Sequence, residues 1–293
     1  MSDQNRKRIS AVRFIRKLHD SSRSVLVEAS NGLEYVVKWL LNPKSATAIH
    51  TEALGASIYE EFGLPVPSWA PIEVSNDFVD ANPSMWFELQ GGTAKPRSGF
   101  HFASRSLDVD TCRVFETVPE SWHSRIQNRS DFWGALAIDV WLDSCHSRHA
   151  LFVEDDQASK LTAFFISHGH IQAGLNGQQR KSFRPYLYPD RRIYAATEMK
   201  AALGSWVEQI ETRGSAVFLT VLRNLEVDVT KPFVRDFTER VLTRARSLRR
   251  TVSAMEAEFA DAHGKKPARS VHPPAFSTAA CDSLTAGRAC STL

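Results

Sequence analysis

DFWGALAIDVWLDSCHSRHALFVEDDQASKLTAFFISHGH, residues 131–170, is the stretch that decides the fold. In its first part Phe132, Leu136 and Val140 recur at helical spacing, which predicts a helix with an apolar stripe. The apolar pattern fails around Asp143, where the polar loop that follows predicts the end of the helix.

Two short strands are predicted after this loop, which covers residues 145–148. Residues 150–153 and 161–166 are rich in apolar β-formers, and the polar run 154–160 between them reads as a turn. The second strand ends abruptly at Ser167-His168-Gly169. Kinase-type folds hold their chemistry on this layout, with the base and one metal ligand in the loop and the main metal ligand at the strand end.

The spacing of particular residues in this layout resembles the HipA-like kinase family, in its compact bacterial branch. That branch carries an Asp-x-Trp-x-x-Asn-x-Asp-x-Arg run, followed later by Ile-Asp-His-Gly. The residues of this chain that match those places are Asp139, Trp141, Arg148, Ile166, His168 and Gly169. The resemblance implies a protein that binds ATP and transfers its γ-phosphoryl group to a protein serine or threonine.

Three positions depart from the family pattern. Ser144 stands at the asparagine, His146 at the catalytic aspartate, and Ser167 at the aspartate before His-Gly. A histidine can act as a general base near neutral pH. A serine hydroxyl brings no negative charge to Mg²⁺, a hard cation that prefers carboxylates, so we expect Mg²⁺ to bind poorly. Asp143 adjoins the loop and is the closest substitute ligand, with Asp155 and Asp156 further along.

The N-terminal part contains the residues that the resemblance assigns to nucleotide binding. Ser21 and Ser22 lie where the family has a glycine-rich loop over the phosphates, although an ordinary hairpin turn explains them equally well. Lys38 ends a β-branched run, and Glu52 follows fourteen positions later (52 minus 38) in the predicted helix 46–62. In kinases such a pair holds the α and β phosphates, so we expect Lys38 to contact Glu52. The alternatives are a strand lysine and a helix glutamate that both face solvent.

The element pattern predicts an α+β chain, and the resemblance implies a two-lobed, protein-kinase-like fold. We expect a flexible N-terminus over 1–9, a β-rich N-lobe over 10–98, a helical C-lobe over 99–262 and a disordered tail over 263–293. The tail is rich in Lys, Pro, Ser, Ala, Thr and Gly and cannot bury much apolar area.

Composition bounds the location and the partners. The chain has 293 residues and a formal net charge of +3, too mild to imply nucleic acid or a membrane surface as a partner. No run of about 18 apolar residues occurs, and the start of the chain carries no apolar segment. The four cysteines form no C-x-x-C pair, so a reducing cytoplasm is the expected location.

Three functions are compatible with these residues. The leading interpretation is a pseudokinase, or a relic of the fold, that acts by binding a nucleotide weakly, by binding a protein partner, or both. The alternative is an active, atypical Ser/Thr protein kinase with a protein substrate. A minor alternative is a zinc site in the segment 145–170, built from Cys145, His146, His149, His168 and His170.

Overall fold

The computed structural model describes residues 6–18, 23–39, 46–89, 92–107, 112–144, 146–155, 159–169, 171, 187–194 and 199–253. Several residues singled out from the sequence lie outside these ranges: Ser21, Ser22, Cys145, Asp156, His170 and the tail 263–293.

The N-terminal half is built around a closed five-stranded barrel in the order β1-β2-β3-β7-β4. The strands of this half are β1 (Ile9–Lys17), β2 (Val25–Ala29), β3 (Glu34–Lys38), β4 (Trp69–Val74), β5 (Phe87–Leu89), β6 (Gly92–Ala94) and β7 (Gly99–Arg105). β5 and β6 form a separate two-stranded ribbon. Alternation along the strands buries a core inside the barrel, in which Val27, Val37 and Ile72 are fully buried.

One helix, α1 (Ala46–Glu61), connects β3 to β4 and packs on the outside of the barrel. Small residues of the helix, Ala53 and Ala56, lie against Trp69 and Phe102, whose rings stack with centroids 5.3 Å apart. Because the alanines lack bulk, the helix axis can approach the sheet closely. β3 and β7 pair at Lys38 and Phe102, so Lys38 lies beside this packed helix.

The barrel extends beyond residue 98, where the sequence placed the end of the N-lobe. β7 pairs with β3 on one side and with β4 on the other, so the segment assigned from the sequence to the C-lobe completes the barrel. Residues 75–98 are mostly polar and contain Pro83 and Pro96, which predicts a loop, but much of this segment is structured. A short helix α2 (Asn76–Ala81) and the turn at Pro83–Met85 fold this segment back, and Val79 and Met85 are fully buried in the barrel core.

Among its described residues, the C-terminal half combines one small sheet with four α-helices. Its elements are β8 (Arg113–Phe115), α3 (Asp131–Leu142), β9 (His149–Glu154), β10 (Leu161–Ile166), α4 (Met199–Gln209), α5 (Ser215–Asn224) and α6 (Pro232–Arg246). The sheet has the order β10-β9-β8. Eleven of the twelve residues of α3 are buried, so this helix is surrounded on all sides rather than along one stripe.

Within the helical pattern of residues 205–225, Gly214 indicates a break, but the structure has none. A π-helical turn, Ile210–Gly214, joins α4 to α5 without interruption. A Cβ atom at Gly214 would lie 3.2 Å from the ring of Trp141, so the glycine is explained by close packing rather than by a helix end. None of the helices in the described part of the chain is both long and apolar enough to cross a bilayer.

Candidate functional site

Lys38 and Glu52 form an ion pair between β3 and α1. The Nζ atom of Lys38 donates to Oε1 of Glu52 at 2.6 Å. The side chains are only 17% and 11% exposed, respectively, so water screens the pair less than it would screen a surface pair. The contact expected from the sequence is therefore present.

Glu52 also binds the segment that follows β10. Its Oε2 atom accepts a hydrogen bond from the backbone N–H of His168 at 2.8 Å. A Cβ atom at Gly169 would lie 2.7 Å from Oε1 of Glu52, so a larger residue there would push the carboxylate away. Thr51 adds a hydrogen bond from its hydroxyl to the Gly169 carbonyl oxygen at 3.3 Å. The end of β10 is thus fastened to α1.

Ser167 bends the chain between β10 and this contact. Its φ is 62°, in the left-handed region that side-chain-bearing residues other than Asn and Asp seldom adopt. Such a conformation persists where the surrounding contacts hold it, and here Glu52 fixes the neighbouring N–H of His168. The turn places Ser167 at the end of the sheet, close to the Lys38–Glu52 pair.

A buried ion pair between Arg148 and Asp139 contacts the end of β10. Arg148 donates from Nε to Oδ2 of Asp139 at 2.8 Å and from Nη2 to Oδ1, while its Nη1 donates to the Ile166 carbonyl oxygen at 2.9 Å. Tyr59 donates its hydroxyl proton to the same carboxylate at 3.0 Å. Burial opposes the charge on Arg148, but the Asp139 carboxylate outweighs it and raises the Arg148 pKa. Arg148, Asp139 and Tyr59 are buried, so Arg148 has a supporting role in the structure rather than an exposed position in the site.

The ring of His168 belongs to the same buried network. Its Nε2 atom lies 3.1 Å from the Phe165 carbonyl oxygen, and its Nδ1 atom lies 3.4 Å from Nη1 of Arg148. The tautomer with the proton on Nε2 satisfies both contacts, because Nδ1 then accepts from Arg148. Burial, followed by the charges of Arg148 and Lys38, holds the pKa of His168 well below its ordinary value. The imidazole is therefore neutral and structural.

The loop after α3 divides into a buried and an exposed part. Ser144 is buried, and its N–H donates to the Asp139 carbonyl oxygen at 2.9 Å, whereas His146 is exposed. Asp143, the carboxylate that the sequence offered as a substitute metal ligand, accepts a hydrogen bond from Nη2 of Arg244 at 3.2 Å. Arg244 also donates from Nη1 to the Trp141 carbonyl oxygen at 2.8 Å, so it caps the end of α3.

His149 is the first residue of β9 and lies opposite Ile166 of β10 in the strand register. It therefore adjoins Ser167 across the sheet end, and its side chain is exposed. Partial burial lowers the pKa of His149, and the charges of Arg148, Lys38 and His146 lower it further, while Glu116 acts in the opposite direction.

These residues do not fit the divalent metal site of a kinase. Ser144, His146 and Ser167 supply no carboxylate, and Asp143 is paired with Arg244. Over the described ranges, no three or more His, Cys, Asp or Glu side chains are placed to hold a metal ion. His168 does not fit the zinc alternative either, because both of its ring nitrogens have hydrogen-bond partners inside the protein. Cys145 and His170 lie outside the described residues.

Comparisons with known proteins add little to this geometry. No protein-family model matches the chain, and a search of curated proteins found no match either. Among solved structures it is similar to two crystal structures of the Golgi casein kinase, one of them with Mn and ADP bound. Both have a TM-score of 0.46 and 8% identity over 83% of this chain, and the matches cover 71% and 70% of the kinase chains. A likeness of this size is too weak to assign a function.

Proposed function

We propose that this chain is a kinase-like protein of the HipA-like type that binds a nucleotide and acts as a pseudokinase through a protein partner. The observation that carries the proposal is the Lys38–Glu52 ion pair, fastened to the backbone of His168. A lysine of the third strand, paired with a glutamate of the next helix, holds the α and β phosphates of ATP in protein kinases.

The order of elements around this pair supports the same reading. The helix with Glu52 follows the strand with Lys38, and α3, a loop, β9 and β10 come later in the chain. The last of these strands ends at Ile166, and Ser167 then leads to His168, whose N–H Glu52 accepts. Phosphate-binding and metal-binding positions of a kinase converge in this manner from both halves of the fold.

The chemistry of the loop argues against efficient phosphoryl transfer. That reaction needs metal ions that offset the phosphate charge and a carboxylate that orients the acceptor hydroxyl. His146 could accept a proton in place of an aspartate, but Ser144 and Ser167 cannot neutralise Mg²⁺. An active kinase is the alternative, and it would need a metal site assembled from other carboxylates.

Thermal unfolding of the whole chain with ATP, with and without Mg²⁺, tests the proposal. We expect a small rise in Tm with ATP that does not require Mg²⁺. The Lys38→Met variant should lose that rise. Lys95→Met is the matched control, because Lys95 is exposed and pairs with Asp80 on the surface, and it should keep the rise.

Two outcomes would contradict the proposal. A large rise in Tm that appears only with Mg²⁺ would favour the active kinase. A rise that survives in Lys38→Met would show that the nucleotide binds elsewhere.

A further inference from the structure

Helix α6 buries one face and leaves the opposite face exposed to solvent. Its buried residues recur every three or four positions and are Val234, Phe237, Val241 and Ala245. The indole N–H of Trp141 donates to the Val241 carbonyl oxygen at 3.0 Å, so this face is fixed to α3. Helical backbone continues over residues 248–253 after a turn at Ser247, so the exposed face extends beyond α6.

The exposed face separates its charges by sign. The exposed residues that recur at alternating intervals of three and four, as residues on one side of a helix do, are Asp236, Glu239, Thr243, Arg246 and Arg250. The two acidic side chains lie toward the start of the helix and the two arginines toward its end, with the threonine between them. None of these four charged side chains has an ion pair within the described residues, whereas Arg244 and Arg249 of the same helical segment pair with acidic residues.

A groove of about 630 Å³ lies along this side of the helix. Its lining changes along the helix from Asp236 and Glu239, through Thr243, to Ser247 and Thr251. Short hydroxyl side chains permit a second helix to approach, because the distance between packed helices depends on the side chains at the contact. The acidic end would repel the phosphates of a nucleic acid, so the fitting partner is a protein helix that carries charges of both signs.

We propose that this face is the interface of a homodimer, in which the α6 helices of two copies of the chain pack antiparallel. Asp236 and Arg250 each lie seven residues from Thr243 (243 minus 236, and 250 minus 243). Glu239 and Arg246 lie four and three residues from it (243 minus 239, and 246 minus 243). A two-fold axis at Thr243 therefore places the acidic end of each helix opposite the basic end of the other.

The same charges exclude the parallel arrangement. Two parallel helices would set acidic side chains against acidic ones and arginines against arginines, and like charges in an interface are costly. One helix thus carries both halves of the complementarity, which a second copy of the chain satisfies twice. This inference is independent of nucleotide binding at Lys38.

The dimer should be weak and sensitive to salt. Ion pairs between exposed side chains gain little in water, and dissolved ions screen them. The span from Asp236 to Arg250 is fourteen residues (250 minus 236), or about 21 Å of helix, so the contact is short. Phe233 is 38% exposed and precedes Asp236 by about one turn, so it adds apolar area at each end of the contact.

Sedimentation equilibrium of the whole chain tests the inference. At a salt concentration of about 0.02 M we expect the average mass to rise with protein concentration from 32.8 kDa toward twice that value. The rise should be much smaller at about 0.5 M salt, where charges are screened over a few ångströms.

Charge reversal at either end of the face provides the specific test. The acidic variant, Arg246→Glu with Arg250→Glu, and the basic variant, Asp236→Lys with Glu239→Lys, each set like charges opposite one another in the antiparallel dimer. Each alone should associate about tenfold or more weakly than the wild type. An equal mixture of the two should form dimers again, because every pair is then of opposite sign.

A matched control separates the position of the charges from the net charge. Arg191→Glu with Arg223→Glu makes the same change in net charge as the acidic variant, at exposed positions away from this face. This control should dimerise about as well as the wild type. Recovery of the dimer in the mixture also shows that the acidic and basic variants are folded.

Three outcomes would overturn the proposal. The first is a wild-type chain that stays at 32.8 kDa at every protein concentration in low salt, which would leave the face to a different protein. The second is a dimer that persists in the acidic variant, or a mixture of the two variants that stays monomeric. The third is a control that loses the dimer to the same extent as the acidic variant.

Discussion

The Oε2 atom of Glu52 accepts the backbone N–H of His168 at 2.8 Å, across 116 positions of sequence. The other oxygen of the same carboxylate accepts Nζ of Lys38 at 2.6 Å. One side chain therefore fixes both the phosphate-binding candidate on β3 and the turn that follows β10. A shift of α1 would therefore disturb the positions of both Lys38 and Ser167.

Replacing Glu52 with glutamine should destabilise the protein and weaken ATP binding. An amide cannot neutralise Lys38, which would be left largely buried and unpaired, so we expect a loss of about 1–3 kcal/mol in the free energy of unfolding. Urea denaturation measures it. Glu208→Gln, at an exposed position of α4, should change stability by less than about 0.5 kcal/mol. Equal effects of the two variants would contradict the bridging role of Glu52.

Two glycine substitutions should have opposite signs. A Cβ atom at Gly55 would lie 2.5 Å from the Cβ of His168, so Gly55→Ala forces α1 away from the turn and should cost about 1–3 kcal/mol. At Gly204, within α4, a Cβ would meet nothing within 4 Å. Gly204→Ala should instead stabilise the helix by up to about 1 kcal/mol. Thermal and urea unfolding of both variants would show the sign of each change.

Removing Arg148 should be the most damaging of the single changes considered for this site. Arg148→Met leaves Asp139 buried without its cation, and loss of one partner of a buried pair costs about 3–5 kcal/mol. The double variant Arg148→Met with Asp139→Leu should recover much of that loss, because no charge remains buried. Arg192→Met, which breaks surface pairs with Glu120 and Asp190, should change stability far less than Arg148→Met. A double variant no more stable than the single one would show that the pair itself is needed.

Local sequence signals predicted the elements of the site better than its chemistry. The β-branched run before Lys38 and the helical pattern around Glu52 predicted the two elements, and the family resemblance supplied the expected contact between them. The apolar pattern of 131–142 likewise predicted α3, and the end expected around Asp143 agrees with the observed end at Leu142. The predicted end of the N-lobe missed β7, since a Gly- and Pro-containing segment reads as a linker even when it is folded onto a core.

Long-range partners had no sequence signal. Arg244 caps α3 and pairs with Asp143, although about a hundred positions of sequence separate them. Its helix is rich in arginine, and nothing in the sequence distinguishes Arg244 from the other arginines. The hydroxyl of Tyr59 donates to Asp139, but nothing in the sequence pattern of its helix marks Tyr59 as this partner. Histidine spacing suggested a zinc site, whereas the fold buries His168 among hydrogen-bond partners. The spacing of histidines along the chain does not show which ring nitrogens already have hydrogen-bond partners inside the protein.

The buried ring of His168 should make the stability of the protein depend on pH. Its pKa in the folded protein lies well below the ordinary value because of burial and the nearby charges of Arg148 and Lys38. The unfolded chain therefore binds a proton, at about pH 6.5 and below, that the folded chain refuses, so stability falls as the pH drops through this range. His168→Gln should fall less steeply than the wild type when urea unfolding is followed from about pH 7.5 to about pH 5. Parallel pH profiles would mean that His168 titrates normally in the folded protein.

Restoring carboxylates should restore metal binding. In the double variant His146→Asp with Ser167→Asp, two carboxylates enter the loop and the turn, and hard divalent cations prefer such ligands. The backbone permits the change, because Ser167 has a φ of 62° and aspartate tolerates the left-handed region better than most residues. We expect affinity for Mg²⁺, measured by calorimetry in the presence of ATP, to rise by about tenfold or more. The matched control combines His146→Asp with Ser159→Asp, since Ser159 also has a positive φ but lies in the turn at the opposite end of the β9–β10 hairpin. If the control gains as much affinity as the test variant, or if neither gains any, Ser167 does not occupy a metal position and the alignment of this turn with a kinase site fails.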